Sequence, residues 1–270
     1  MDYVVAQGVR IPALGLGTYK LRGNEGLNSI KKALEIGYRH IDTAQMYNNE
    51  EEVGEAVRQS NVDREDVFIT TKILRRNLEY GDVLSSVNDS LRRLGMEHVD
   101  LLLIHAPSSS VPIEESIEAM NELQDEGKVD HIGVSNFSVK QTQEAIEASE
   151  TPVVTNQVKY HPFYSQNEIL DFCIENDVML TAYTPLANGR VIGHDTLSKI
   201  GEKYGKTGAQ VALRWLVQQE NVSTIPKASS EEHLRENIDI FDFELTRDEM
   251  QTIFDLQGGL IDRLRSRLGL

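Results

Sequence analysis

The sequence predicts an α/β chain folded as a single (β/α)₈ TIM barrel, and three observations carry that reading. Short apolar, β-branched runs recur eight times, and amphipathic charged segments of helical period lie between them. Neither a Pro/Ser-rich linker nor a shift of composition divides the chain, so one domain over residues 1–270 is expected rather than two Rossmann halves.

Taken in order, VVAQGVRIP predicts a short N-terminal β-hairpin across the bottom of the barrel. The strands then follow as ALGLG, YRHIDTA, VFITTKI, VDLLLIHA, HIGVSN, VVTNQVKY, VMLTAYTPL and VSTIPKA. The intervening segments NEGLNSIKKALEIG, DVLSSVNDSLRRLG, PIEESIEAMNELQDEG and SQNEILDFCIEND read as helices, several of them ending in a terminating glycine. HDTLSKIGEKYGKTGAQVALRWLVQQ leaves room for an additional helix before the last strand. LTRDEMQTIFDLQGG reads as another near the C-terminus, so extra C-terminal helices are expected.

A chain of 270 residues with 40% hydrophobic content can bury a substantial core. MDYVVAQGVRIP lacks the basic-then-apolar pattern of a leader, and no run approaches the roughly 18 apolar residues of a membrane span, so a cytoplasmic protein is expected. The single cysteine, Cys173, has no disulfide partner or zinc-site spacing and reads as core. With 43 acidic against 27 basic residues, the net charge of −16 argues against nucleic-acid and anionic-membrane partners and suits a halophilic, high-salt setting. No heptad or long exposed apolar stretch demands association, which favours a monomer.

Barrel active sites lie at the C-terminal ends of the strands. Asp42 follows HI, Lys72 ends FITTK, His105 ends LLLIH, Ser135 and Asn136 end IGVSN, Gln157 ends VVTNQ, and Tyr183 ends MLTAY. Singly, each has an ordinary explanation as a solvated charge, a hydrogen-bonded structural group or a helix cap. Converging on one mouth, an aspartate, a lysine and a histidine from successive strands point to chemistry.

Other residues read as structural. Glu50, Glu51 and Glu52 form the acidic first turn of a helix and are expected to face solvent. Trp215 sits on an apolar helical stripe and is expected in the core. His98, His131, His161 and His194 lack HxH or HExxH spacing, so no metal site is expected. In GLGTYK, Lys20 stands where the third glycine of GxGxxG would be, so that stretch is not a dinucleotide fingerprint.

Over essentially its whole length the sequence resembles the aldo-keto reductase family. The matching stretches are GLGT at Gly15 to Thr18, HIDTAQMYNNEEEVG, ITTKI, LLLIH, IGVSNF, TNQVKYHP, AYTPL and IPKASSEEHLREN, in that order. The resemblance implies reduction of an aldehyde or ketone by a nicotinamide dinucleotide, with a catalytic tetrad of Asp42, Tyr47, Lys72 and His105. Reducing a carbonyl needs a proton delivered to oxygen as hydride reaches carbon, and tyrosine is such a donor. An adjacent Lys72 ammonium, held by Asp42, is expected to lower the Tyr47 pKa from its ordinary value of about 10. A neutral His105 would orient the carbonyl.

The resemblance also implies that Ser135, Asn136 and Gln157 meet the carboxamide and that Tyr183 stacks on the nicotinamide. Thr18, Lys20 and the backbone of Thr184, Leu186 and Ala187 would follow the pyrophosphate. Lys227, Ser229 and Ser230 would meet the 2′-phosphate of NADPH, and Glu236 and Asn237 the adenine. His233 replaces an arginine that many relatives carry, which weakens the phosphate preference. NADPH is still favoured because Lys227 remains, with NADH as a second cofactor. The substrate pocket would be lined by Tyr19, Tyr47, His105 and Ala106; relatives often carry tryptophan in place of Ala106, so a wider pocket is expected. The short tail LIDRLRSRLGL has no derived role.

Two other readings remain. One is a non-catalytic, cofactor-sensing regulatory protein, which the intact tetrad opposes. The other is a barrel isomerase or aldolase using Lys72 as a Schiff-base nucleophile.

Overall fold

In the computed structural model, which describes residues 2–257, two strands precede the barrel. β1 (Tyr3–Ala6) and β2 (Val9–Pro12) pair antiparallel through Gln7 and Gly8. Both turn residues have positive φ, 52° and 77°, the twist that a two-residue hairpin loop requires.

Eight parallel strands follow, each hydrogen-bonded to the next in sequence: β3 (Leu16–Gly17), β4 (His40–Asp42), β5 (Phe68–Ile73), β6 (Val99–Ile104), β7 (Val129–Ser135), β8 (Val153–Lys159), β9 (Met179–Tyr183) and β10 (Val222–Thr224). The first and last meet through a parallel bridge between Leu14 and Thr224. There Gly15 N donates to Thr224 O at 2.9 Å and Thr224 N to Ala13 O at 2.9 Å. The expected (β/α)₈ barrel is the fold observed.

The hairpin closes the N-terminal end, as expected. Ala6 and Ile11 pack with Leu101 and Leu103 of β6, Val154 of β8 and Met179 of β9 into a separate apolar cluster. The other end is left for loops.

Helices cover the outside: α1 (Gly23–Ile36), α2 (Glu50–Arg58), α3 (Tyr80–Leu94), α4 (Ile113–Asp125), α5 (Val139–Ala148), α6 (Asn167–Glu175), α7 (Asp195–Glu202), α8 (Gly208–Val217), α9 (Glu231–Ile238) and α10 (Arg247–Phe254). The pair α7 and α8 fills the long segment before β10, and α10 is the expected late helix. Trp215 is fully buried against Tyr160 and Phe254, and Cys173 is fully buried, both as expected.

One glycine bears on the site. A Cβ on Gly54 of α2 would run into the carbonyl group of Leu94, so only glycine lets α2 lie this close to the end of α3. Among the described residues no helix is long and apolar enough to cross a membrane. The tail LIDRLRSRLGL lies outside the described residues.

Candidate active site

Strand alternation places Asp42 and Lys72 inside the barrel near its C-terminal mouth, and both are essentially inaccessible, at 1% and 0% exposure. Lys72 Nζ donates to Asp42 Oδ1 at 2.6 Å and to the Thr43 carbonyl at 2.8 Å. Gln157, from β8, donates its amide to Asp42 Oδ2 at 2.8 Å. Each carboxylate oxygen is thus matched, as a buried charge requires. Burial alone would lower the Lys72 pKa, but the Asp42 charge and hydrogen bond, aided by Tyr47, outweigh it and hold the pKa raised. Lys72 is therefore an ammonium, which opposes its use as an amine nucleophile.

Tyr47 ends a 3₁₀ turn, Gln45–Tyr47, and its ring centroid lies 5.1 Å from Lys72 Nζ. The His105 ring stands edge-on to it at 5.8 Å and the Tyr19 ring at 5.2 Å. The expected lowering of the Tyr47 pKa is corrected by the structure. Burial raises it, the Lys72 charge pulls the other way, and the net direction is upward. The phenol therefore keeps its proton through the neutral range.

His105 sits at the end of β6, held by its backbone: its N–H donates to Ile73 O at 3.2 Å and its carbonyl accepts from Asn136 Nδ2 at 2.9 Å. Burial first, then the Lys72 charge, lowers its pKa to about 4. The ring is neutral at pH 7, and its Nδ1 is buried without a protein partner.

Around the mouth the remaining strand ends form a linked set. Ser135 Oγ donates to Gln157 O at 2.8 Å, Asn136 Nδ2 to Ser135 Oγ at 3.0 Å, and the Tyr183 hydroxyl to Asn136 Oδ1 at 2.8 Å. These residues line a cavity of about 560 Å³ together with Tyr19, Lys20, Asp42, Tyr47, His105, Thr184, Leu186 and Lys227. A second cavity, of about 580 Å³, is lined by Leu186, Lys227, His233, Glu236 and Asn237. Because Leu186 and Lys227 belong to both, the two are adjoining parts of one long cleft.

Not every expected residue reaches it. Thr18 is buried with its hydroxyl on Asp42 O at 2.9 Å, and Ala187 is buried beneath its loop. Ser229 accepts from Lys227 Nζ at 3.3 Å, Ser230 caps α9 by accepting from His233 N, and none of these four is in the lining. Ala106 is likewise outside it. Conversely, Met46, Pro185, Asn188 and Gly189 line the first cavity, and Ile192, Glu202, Lys206 and Thr207 the second, none of them expected. The turn letters of ANGRVIG were the available signal for that loop, where Asn188 and Gly189 have φ of 54° and 90°.

The acidic first turn of α2 departs in part from the expectation that it faces solvent. Glu51 is exposed and Glu52 half-buried, but Glu50 is 1% exposed. Its Oε1 accepts from Thr71 Oγ1 at 2.6 Å and its Oε2 from Arg93 Nε at 2.8 Å. These partners compensate the carboxylate, which the macrodipole alone would not draw inward.

The donor set suits a nicotinamide dinucleotide. One end offers hydroxyl and amide groups beside the Tyr183 ring, and the other offers Lys227, His233 and the first turn of α9. Among the described residues, no group of three or more His, Cys, Asp or Glu could hold a metal ion.

A match to the Aldo/keto reductase family spans residues 13–257. The chain belongs to the aldo/keto reductase family. It is 41% identical to a glyoxal reductase of Bacillus subtilis (strain 168), over 91% of this chain and 89% of that protein. It is 36% identical to the methylglyoxal reductase DkgB of Escherichia coli O157:H7, over 96% and 97%. A crystal structure provisionally named a 2,5-diketo-D-gluconic acid reductase B superposes with a TM-score of 0.93 at 48% identity, over 95% of this chain and 92% of that one. As an aldo/keto reductase the protein is an oxidoreductase, and its reaction class is NAD(P)H-dependent reduction of an aldehyde or ketone to an alcohol.

Proposed function

We propose that Asp42, Tyr47, Lys72 and His105 carry this reduction, with NADPH as the favoured cofactor. The observation that carries the reading is the fully buried Lys72 ammonium, fixed by Asp42 and standing 5.1 Å from the Tyr47 ring. A bound nicotinamide dinucleotide supplies the hydride. Tyr47 Oη gives its proton to the carbonyl oxygen as negative charge gathers there, and Lys72 steadies the phenolate left behind. Asp42 keeps Lys72 in place, and neutral His105 orients the carbonyl by a hydrogen bond.

Ser135, Asn136 and Gln157 would hold the carboxamide and Tyr183 the nicotinamide face. Thr18, Lys20 and the backbone of Thr184, Leu186 and Ala187 would follow the pyrophosphate. Lys227, Ser229 and Ser230 would take the 2′-phosphate, His233 the adenosine end beside it, and Glu236 and Asn237 the adenine. The reading of NADPH rests on the Lys227 ammonium; a strong kinetic preference for NADH would overturn it. Tyr19 and Ala106 would flank the substrate. Small dicarbonyls are the substrate class we favour, on the names of the two bacterial relatives.

The decisive experiment is methylglyoxal-dependent NADPH oxidation by Tyr47→Phe. We expect kcat to fall by roughly 10²- to 10⁴-fold with cofactor binding retained. Activity surviving in that variant would refute the assignment. The net charge of −16 further supports a high-salt setting, which maximal activity at low salt would refute.

A further inference from the structure

We propose that Glu50 is a positioning residue: with Gln45 it braces the Tyr47 turn against the strand that carries Lys72, and so sets the separation of the two side chains. This rests on the reading of Tyr47 as the acid and Lys72 as its charged neighbour.

The need for a brace follows from how the two are attached. Lys72 is tied by its own bonds to Asp42 and Thr43, which belong to β4 and the residue after it. Tyr47 stands farther out, on a short surface turn whose neighbours Met46 and Asn48 are exposed. Asn48 ends the turn in the left-handed region, at φ 51°. Arg22 Nε donates to the Tyr47 carbonyl at 2.8 Å, and buried Asn49 donates to the carbonyls of Thr18 and Leu21 and accepts from Thr43 Oγ1. These contacts tie the turn to β3, β4 and the loops after them but not to β5, which carries Lys72.

Residues on both sides of Tyr47 reach residues on both sides of Lys72. Before the tyrosine, Gln45 Oε1 accepts from Leu74 N at 2.9 Å and Asn77 Nδ2 at 3.2 Å, just beyond the lysine. After it, Glu50 Oε1 accepts from Thr71 Oγ1 at 2.6 Å, immediately before the lysine. Strand alternation sends Thr71 and Lys72 to opposite faces, so Glu50 holds β5 from outside while Lys72 projects inward.

Helix α3 backs both arms. Arg93 Nη2 pairs with Glu50 Oε2 at 2.6 Å and donates to Ser90 Oγ at 3.1 Å, and Gln45 Nε2 donates to the same Ser90 Oγ at 3.1 Å. The close approach at Gly54 is what brings α2 and α3 near enough for this.

A glutamate in a first helical turn gains its macrodipole interaction while remaining in water. Burying the carboxylate adds a desolvation cost that an ion pair often only offsets, so stability alone does not account for it. Fixed geometry does, because a misplacement of about 1 Å can slow a reaction roughly a hundredfold.

The test uses the full-length enzyme with NADPH and methylglyoxal, following kcat, both KM values, the melting temperature and the pH profile. Thr71→Val removes the hydroxyl that Glu50 holds while leaving the Arg93 pair intact, and Glu50→Gln removes the charge. We expect each to lower kcat by roughly 10- to 100-fold with KM values unchanged. The double variant falls no further than the worse single one, and Thr71→Ser restores kcat. The alkaline limb of kcat moves to higher pH, because a receding ammonium no longer favours the phenolate. Wild-type kcat in Thr71→Val overturns the proposal, as does a loss that tracks the unfolded fraction and is not restored by serine. Tyr47→Phe run alongside separates the two readings. Activity retained there defeats the assignment of the acid, whereas activity lost there but kept in Thr71→Val defeats the brace alone.

Discussion

Gln157 donates its amide to Asp42 Oδ2 at 2.8 Å across 115 residues of sequence, occupying the carboxylate oxygen that Lys72 leaves free. Replacing it with leucine strands a buried carboxylate oxygen. Gln157→Leu should lose about 1–3 kcal/mol of stability by chemical denaturation. A wild-type denaturation midpoint would show that the Asp42 oxygen finds another partner.

Lys72 and Asp42 are a buried pair whose members fail separately and recover together. Lys72→Met leaves an uncompensated carboxylate and should cost about 3–5 kcal/mol. Adding Asp42→Asn removes that charge, so the double variant should melt well above the single one while remaining inactive. If both variants melt alike, the pair does not hold the barrel interior as described.

Acid sensitivity should begin above the carboxylate range. His40 and His105 have pKa values lowered from 6.5 to about 4, each chiefly by burial. As pH falls below 6.5 the unfolded chain takes up protons that the folded chain refuses. The stability contributed by these neutral rings is therefore present above pH 6.5 and lost progressively toward pH 4. Thermal melts should show a decline already between about pH 6.5 and 5, where carboxylates hardly titrate. A flat melting temperature across that interval contradicts the burial of both rings.

His233 is the exposed third residue of α9 and lines the second cavity, the end of the cleft proposed to take the adenosine. His233→Arg should lower KM for NADPH roughly tenfold, the worth of one charge-assisted hydrogen bond, and leave KM for NADH nearly unchanged. Equal improvement with both cofactors would place the arginine away from the 2′-phosphate.

The strands, and with them Asp42, Lys72 and His105, were legible because apolar runs fix both strand position and the end at which polar residues emerge. Tyr47 was legible only through resemblance, since a tyrosine in a loop carries no periodic signal. Glu50 was misread because its burial depends on Arg93, 43 residues later, and on a glycine contact between helices that no local pattern reveals. The net direction of the Tyr47 pKa was missed for a related reason. A neighbouring charge can be inferred from spacing, but the burial that outweighs it is a property of the assembled mouth. The second cavity drew Lys206 and Thr207 from the long segment before β10, where the sequence showed room for an extra helix but not what its flank would face.

The β1–β2 hairpin has a consequence for traffic. With Ala6 and Ile11 stoppering one end, the described residues leave the cleft at the opposite end as the doorway to Asp42 and Tyr47. With Tyr47 as the proposed acid, the incoming carbonyl, the departing alcohol and the proton that recharges the phenol would all share it, so turnover would be a queue in which the phenol is refilled from water only after the product has stepped aside.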